Sequence, residues 1–323
     1  MTGNEDGGVL SRFLSLIRPF PDEDELEEEE HQTPAEIVRR VKRLELRVRG
    51  KVTGLLQGAF HSSFKGRGIE FAEVREYVPG DDVRTIDWNV TARMNAPYVK
   101  EYIEERNIDV HLVVDVSGSF AFGSGREKGA AAREIAASLM FCAMRNNDRV
   151  GLILFTDTVV TYLPPRGGRK HVLRCVRELV AHRPRGARTD VPGALAFLAK
   201  VAKKRGIVFV ISDFPEQEGL VRPLRVLGSR HDLVAVRVRD PREVELPDAG
   251  LMELEDAETG EHMLVDTSDR EVREAFSHIA DEEVQGLVSV VGRSNGQLVE
   301  VSTEEPFEEP LRKFFARRER RRH

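Results

Sequence analysis

Residues 109–240 alternate short apolar runs with amphipathic stretches, and that rhythm leaves few folds open. The runs 109–114, 149–155, 206–211 and 232–238 are nearly continuous in Val, Ile and Leu, the signature of strands buried on both faces, and 159–163 adds another strand. Between and after them, 128–145, 170–181, 191–204 and 220–227 have helical character. The pattern predicts the α/β class: an open, mostly parallel six-stranded sheet with helices on both faces, completed by a last strand at 298–302.

The flanks differ in texture. Residues 1–33 read as an acidic tail: Leu10, Phe13, Leu14 and Ile17 share one helical face, and 22–30 is acidic at every position but Leu26. That amphipathic stretch suits docking on protein, with weak contact to a membrane surface as an alternative. Residues 34–108 form a lead-in: Thr33-Pro34-Ala35-Glu36 has the form of a capped helix start, predicting a helix over 34–47, and the glycines and prolines beyond 50 predict a small β-rich segment. The main domain covers 109–306, with a hairpin at 251–265 and helical spacing over 272–291 that stops at Asn295-Gly296. Residues 307–323 give a C-terminal helix and basic tail.

With 40% hydrophobic residues the 323-residue chain can fill a core, and a net charge of only -6 gives no global field for nucleic acid. Cys142 and Cys175 are the only cysteines, no window approaches the roughly 18 apolar residues of a membrane span, and no signal peptide is visible, so a cytoplasmic protein is expected.

In an open α/β sheet, function gathers where strands end. Three such positions carry oxygen ligands: Asp115-Val116-Ser117-Gly118-Ser119 after the first strand, Thr189-Asp190 ahead of a helix, and Asp213 after the strand 206–211. Each alone reads as a cap or turn; together, on this frame, they read as a site for a hard cation, Mg²⁺ or Mn²⁺. Three neutral hydroxyls and two carboxylates would leave such an ion with charge to spare and a position open to an acidic side chain of another protein.

Asp115, Ser117, Ser119, Thr189 and Asp213 match the metal-ion-dependent adhesion site of the von Willebrand factor type A domain, which the chain resembles. Gly66-Arg67-Gly68-Ile69-Glu70-Phe71, Val74-Arg75-Glu76-Tyr77, Pro79-Gly80-Asp81-Asp82 and Ile86-Asp87-Trp88-Asn89 narrow the resemblance to the bacterial family called domain of unknown function 58, over about residues 35–320. That resemblance implies a partnership with a MoxR-type AAA+ ATPase in the assembly or maturation of protein complexes.

Catalysis fits less well. Position 117 is Ser where an Asp-x-Asp phosphatase needs its second carboxylate, and neither a Gly-x-Ser-x-Gly elbow nor a Walker loop is visible. The expectation is therefore a non-enzymatic, metal-dependent interaction module; a scaffold that leaves the site unused and a hydrolase of unrecognised mechanism are the alternatives. Secondary features are the basic glycine loops 66–68 and 166–170, the arginines of 183–188 beside Thr189, Trp88 as a packing anchor or interface residue, and the acidic run 22–30 as an internal ligand for the site.

Overall fold

The computed structural model describes residues 34–52, 55–64, 69–94, 96–104, 107–121, 127–182, 189–215, 219–255 and 262–320. The acidic tail, the loop 66–68, the arginines of 183–188 and the tip of the predicted hairpin at 258–260 lie outside them.

Six strands form the central sheet: β3 (Asp109–Asp115), β4 (Arg149–Phe155), β5 (Val159–Arg166), β6 (Gly206–Ser212), β7 (Asp232–Arg239) and β10 (Gln297–Ser302), in the order β10-β7-β6-β3-β4-β5. All neighbours pair in parallel except β5, which runs antiparallel to β4 at one edge. The expected α/β architecture is what the chain adopts. Every residue of β3 and β6 is buried, as strands covered on both faces must be.

Two apolar layers sandwich the sheet. One holds Val110, Leu112 and Val114 of β3 against α4 (Lys128–Arg145) and α5 (Arg169–Ala181), together with α1 (Pro34–Val52), α2 (Leu55–Phe64) and α9 (Glu308–Arg320). The other packs Val113, Val208 and Val210 against α6 (Val191–Val201), α7 (Val221–Arg230) and the C-terminal half of α8 (Arg270–Arg293). At Asn295 the backbone turns left-handed, φ 57°, which stops α8 where Asn-Gly predicted a stop.

The lead-in is more helical than its punctuation predicts. α1 runs five residues past the expected end at 47, and α2 occupies the start of the stretch expected to be β-rich. Val48, Phe60 and Phe64 are buried, with Phe60 stacked on Phe209 and edge-on to Phe315 and Phe64 edge-on to both, so tertiary packing overrides Gly50 and Gly58. The β-rich part is an antiparallel pair, β1 (Ile69–Glu76) and β2 (Tyr98–Glu104), joined through the short helix α3 (Trp88–Met94). Trp88 is 70% exposed, which removes the packing role considered for it. A second antiparallel pair, β8 (Leu251–Glu255) and β9 (His262–Asp266), precedes α8. Among the described residues no helix is long and apolar enough to cross a membrane.

Candidate functional site

The chain leaves β3 through α4 toward β4 on one side, and leaves β6 through α7 toward β7 on the other. The neighbours β3 and β6 therefore mark the switch point of the sheet, and the crevice beyond their carboxyl ends is where such folds place ligands. Asp115 ends β3, Ser212 ends β6, and Asp213 follows it.

Asp115 is 1% exposed, and its donors among the described residues are neutral. Its Oδ1 takes the Ser117 backbone N–H at 3.0 Å, its Oδ2 takes the Ser212 hydroxyl at 2.8 Å, and the Ser117 hydroxyl also bonds to the carboxylate. Thr189, the last residue before the α6 cap, donates its hydroxyl to Ser117 Oγ at 2.8 Å. A chain of hydroxyls thus runs from Thr189 through Ser117 to Asp115. Burial, and then the nearby charge of Asp213, push the Asp115 carboxyl up to about 7.

Asp213 is 9% exposed, and its Oδ1 is buried without a hydrogen-bond partner among the described residues. Its Oδ2 receives the Lys128 ammonium at 2.7 Å, and the same Nζ reaches Glu243 Oε1 at 2.5 Å. Lys128 is itself only 3% exposed and lies over the Phe120 ring, 5.8 Å from its centroid. Burial alone would lower its pKa, but the charges of Asp213 and Glu243 outweigh burial and hold it above the ordinary lysine value. Glu243 is fixed in turn by a capping box, its Oε2 accepting the Asp240 N–H at 3.0 Å while the Asp240 side chain caps the turn Pro241–Glu243.

The backbone around these groups is constrained. Phe214, directly after Asp213, has φ 56°, a left-handed conformation that a bulky residue adopts only under tertiary compulsion. Its ring is buried in the second apolar layer and its N–H donates to Ser212 Oγ at 3.0 Å, so packing and one hydrogen bond hold the turn that presents Asp213. Gly129 allows α4 to approach the turn Gly118–Ala121: a Cβ there would lie 2.9 Å from the Phe120 carbonyl oxygen.

The structure therefore gathers Asp115, Ser117, Thr189 and Asp213 at one end of the sheet. Ser119 belongs to the turn Gly118–Ala121, and its side chain is outside the described residues. Asp190 has a plain capping role, accepting the Gly193 N–H at 2.7 Å. Sequence reasoning missed Ser212, Lys128 and Glu243. Ser212 stands beside Asp213 and was within reach of the strand-end argument. Lys128 left a fainter trace, since a lysine opening a helix faces its positive pole. Glu243 left none. The described residues hold no group of three or more His, Cys, Asp or Glu suited to a metal ion, so a cation here would depend on hydroxyl oxygens as well as on Asp115 and Asp213.

Comparison with known proteins places this architecture. The family model described as Protein of unknown function DUF58 matches residues 73–285. The uncharacterized proteins Rv1480 of Mycobacterium tuberculosis and Mb1516 of Mycobacterium bovis are each 38% identical over 248 residues, 75% of this chain and 78% of theirs. Among solved structures, an aerotolerance-related membrane protein from Bacteroides fragilis is 17% identical, covering 67% of this chain and all of its own, with TM-score 0.45. A von Willebrand factor type A protein from Catenulispora acidiphila is 13% identical, covering 69% of this chain and 44% of its own, with TM-score 0.40. The family match and the two mycobacterial relatives agree: the chain belongs to the DUF58 family.

Proposed function

We propose that this protein is a non-enzymatic interaction module that holds a divalent cation, Mg²⁺ or Mn²⁺, at the switch point and uses it to grip an acidic side chain of a partner protein. The observation that carries this reading is the electrostatic deficit of the crevice. Among the described residues the donors to Asp115 are neutral and Asp213 opposes it, while Asp213, held by Lys128 through Oδ2, keeps a buried Oδ1 with no described partner. Buried carboxylates so arranged are costly unless a cation joins them.

The donor set matches the ion. Ser117, Thr189 and the two carboxylates are hard oxygen ligands at one strand end, with Ser119 next along the same turn, and such ligands select Mg²⁺ or Mn²⁺ over softer metals. When bound, the ion supplies an electrophilic position for an incoming carboxylate. The chain's own contribution is to orient the hydroxyls: Thr189 fixes Ser117, and Ser212 fixes Asp115.

As partner we propose a MoxR-type AAA+ ATPase, the partnership the family resemblance implies, in the assembly or maturation of protein complexes. We place the encounter in the cytoplasm, a setting that suits the free, buried Cys142 and Cys175. A scaffold reading is favoured by one observation, the exposure of Trp88 together with Val78, Val83 and Met94 on the lead-in.

Calorimetric titration of Mn²⁺ into the protein and into Asp115→Ala tests the site. Saturable one-site binding to the wild type, weakened at least tenfold in the variant, is expected. Equal affinity in both proteins removes the metal reading, and a partner captured equally well in chelator supports the scaffold.

A further inference from the structure

Lys128 is placed against local preference. It opens α4 at the helix's positive pole, and its ammonium is buried, although lysine is among the residues least often buried. Three elements converge on it: Asp213 from the end of β6, Glu243 from the turn after β7, and Phe120 from the turn after β3. Glu243 is prepositioned by its bond to the Asp240 N–H, and Asp240 is tied to Thr303 at 3.0 Å, so the lysine's partners stand on a rigid network.

The consequence for the crevice is a matter of charge. Among the described residues, Asp115, Asp213 and Glu243 set three carboxylates against one ammonium, leaving two negative charges, the number that a divalent cation cancels. Without the ammonium, a loaded site would stay negative and repel an entering carboxylate.

We propose that Lys128 is the residue that sets the ligand preference of the site, weakening the hold on the metal in order to make the metal-loaded site receptive to an anionic side chain. This inference rests on the metal-binding reading above and adds to it a division of labour. Asp115 and Asp213 hold the cation, and Lys128 acts on the same ion by repulsion and on the partner's carboxylate by relief of negative charge. In water-poor surroundings one unit charge at such range is worth at least an order of magnitude in affinity.

The test uses Lys128→Met, which keeps the length of the stem and removes the charge, with Mn²⁺ and acetate as probes. Calorimetry gives the Mn²⁺ affinity, and Mn²⁺-induced broadening of the acetate methyl resonance gives the affinity of the loaded protein for a carboxylate. On the order of tenfold tighter Mn²⁺ and tenfold weaker acetate are expected. The double variant Lys128→Met/Glu243→Gln restores the net charge and should bring both values back toward the wild type. Glu243→Gln alone should move both the opposite way, and it keeps the test open if Lys128→Met does not fold. Both affinities falling together, or neither moving, overturns the proposal while leaving the metal site standing. No Mn²⁺ binding to the wild type overturns the proposal and the metal reading together.

Discussion

The two ends of the central strands bury similar residues and treat them in opposite ways. At the amino end, the two aspartates that open strands each meet an arginine: Asp109 opens β3 and accepts Arg149 Nε at 2.6 Å, and Asp232 opens β7 and is paired with Arg318. At the carboxyl end, among the described residues, Asp115 meets no arginine in its hydrogen-bonding, and Asp213 shares a lysine with Glu243. Where a carboxylate is paired with a guanidinium, its work is to join elements. Where two carboxylates are brought together with too little countercharge, the fold has accepted a cost that stability alone does not justify.

Removing Arg318 should break the matched end most severely. Arg318 is 6% exposed, pairs with Asp232, donates Nη1 to Gln297 Oε1 at 2.7 Å and lies 4.7 Å from the centre of the Phe64 ring. Arg318→Ala takes the guanidinium away from buried Asp232 and from Gln297, and a loss of about 3–5 kcal/mol is expected in urea unfolding. Mn²⁺ affinity should stay unchanged, because the lesion lies at the far end of the sheet. A fall in metal affinity equal to that of Asp115→Ala would erase the distinction between the two ends.

The amino end also carries a pH liability. His111 on β3 is 3% exposed, faces His231 with ring centroids 6.0 Å apart, and has a buried Nε2 that lacks a hydrogen-bond partner among the described residues. Burial, then the charge of His231, lower its pKa to about 4 from an ordinary 6.5. Between those values the unfolded chain binds the proton and the folded chain refuses it, so stability falls as pH drops through 6.5 and levels off below 4. His111→Leu should remove that slope: relative to its value at pH 7.5, the variant's stability difference from wild type should shift in its favour by about 2 kcal/mol at pH 5. Parallel urea midpoints for the two proteins from pH 7.5 to pH 5 would show that His111 is not the group responsible.

Much of this contrast was legible before the structure. The strands announced themselves because β3, β4, β6 and β7 are buried on both faces, and such strands cannot disguise their composition. The meeting of Asp115, Ser117 and Asp213 was legible because a strand end is a place fixed by sequence, whereas Thr189, between two helices, entered through the family pattern. What stayed hidden were partners supplied by other elements. Arg318 reads as one more basic residue in a C-terminal run, and only the docking of α9 against the sheet reveals that it is buried on Asp232. Glu243 sits in an unremarkable Pro-Arg-Glu, and its role appears only when the turn after β7 is seen to meet the start of α4. Helix α2 escaped for a related reason, since its stability comes from Phe60 and Phe64 packing on Phe209 and Phe315 rather than from local preference.

The smallest expected effect is the most discriminating, because its sign is opposite at the two ends. Asp115→Asn removes one of the under-compensated charges and keeps the side chain's shape, so in chelator it should stabilise the protein, whereas removing either member of the Asp232–Arg318 pair must destabilise it. The folded Asp115 carboxyl is raised to about 7 from 3.8, so the folded state holds a proton that the unfolded chain has released, and stability is lost as pH rises through 7. The gain from the amide should accordingly be present at pH 8, on the order of 1 kcal/mol once the poorer match to Ser117 N–H and the Ser212 hydroxyl is subtracted, and should vanish as pH falls toward 4. Saturating Mn²⁺ should reverse the ranking at pH 8, raising the melting temperature of the wild type above that of the variant, since a ligand stabilises only the folded form that binds it. A variant less stable than wild type in chelator at pH 8 would mean that Asp115 is already satisfied by its hydroxyls, and that the carboxyl end, like the amino end, is built for cohesion.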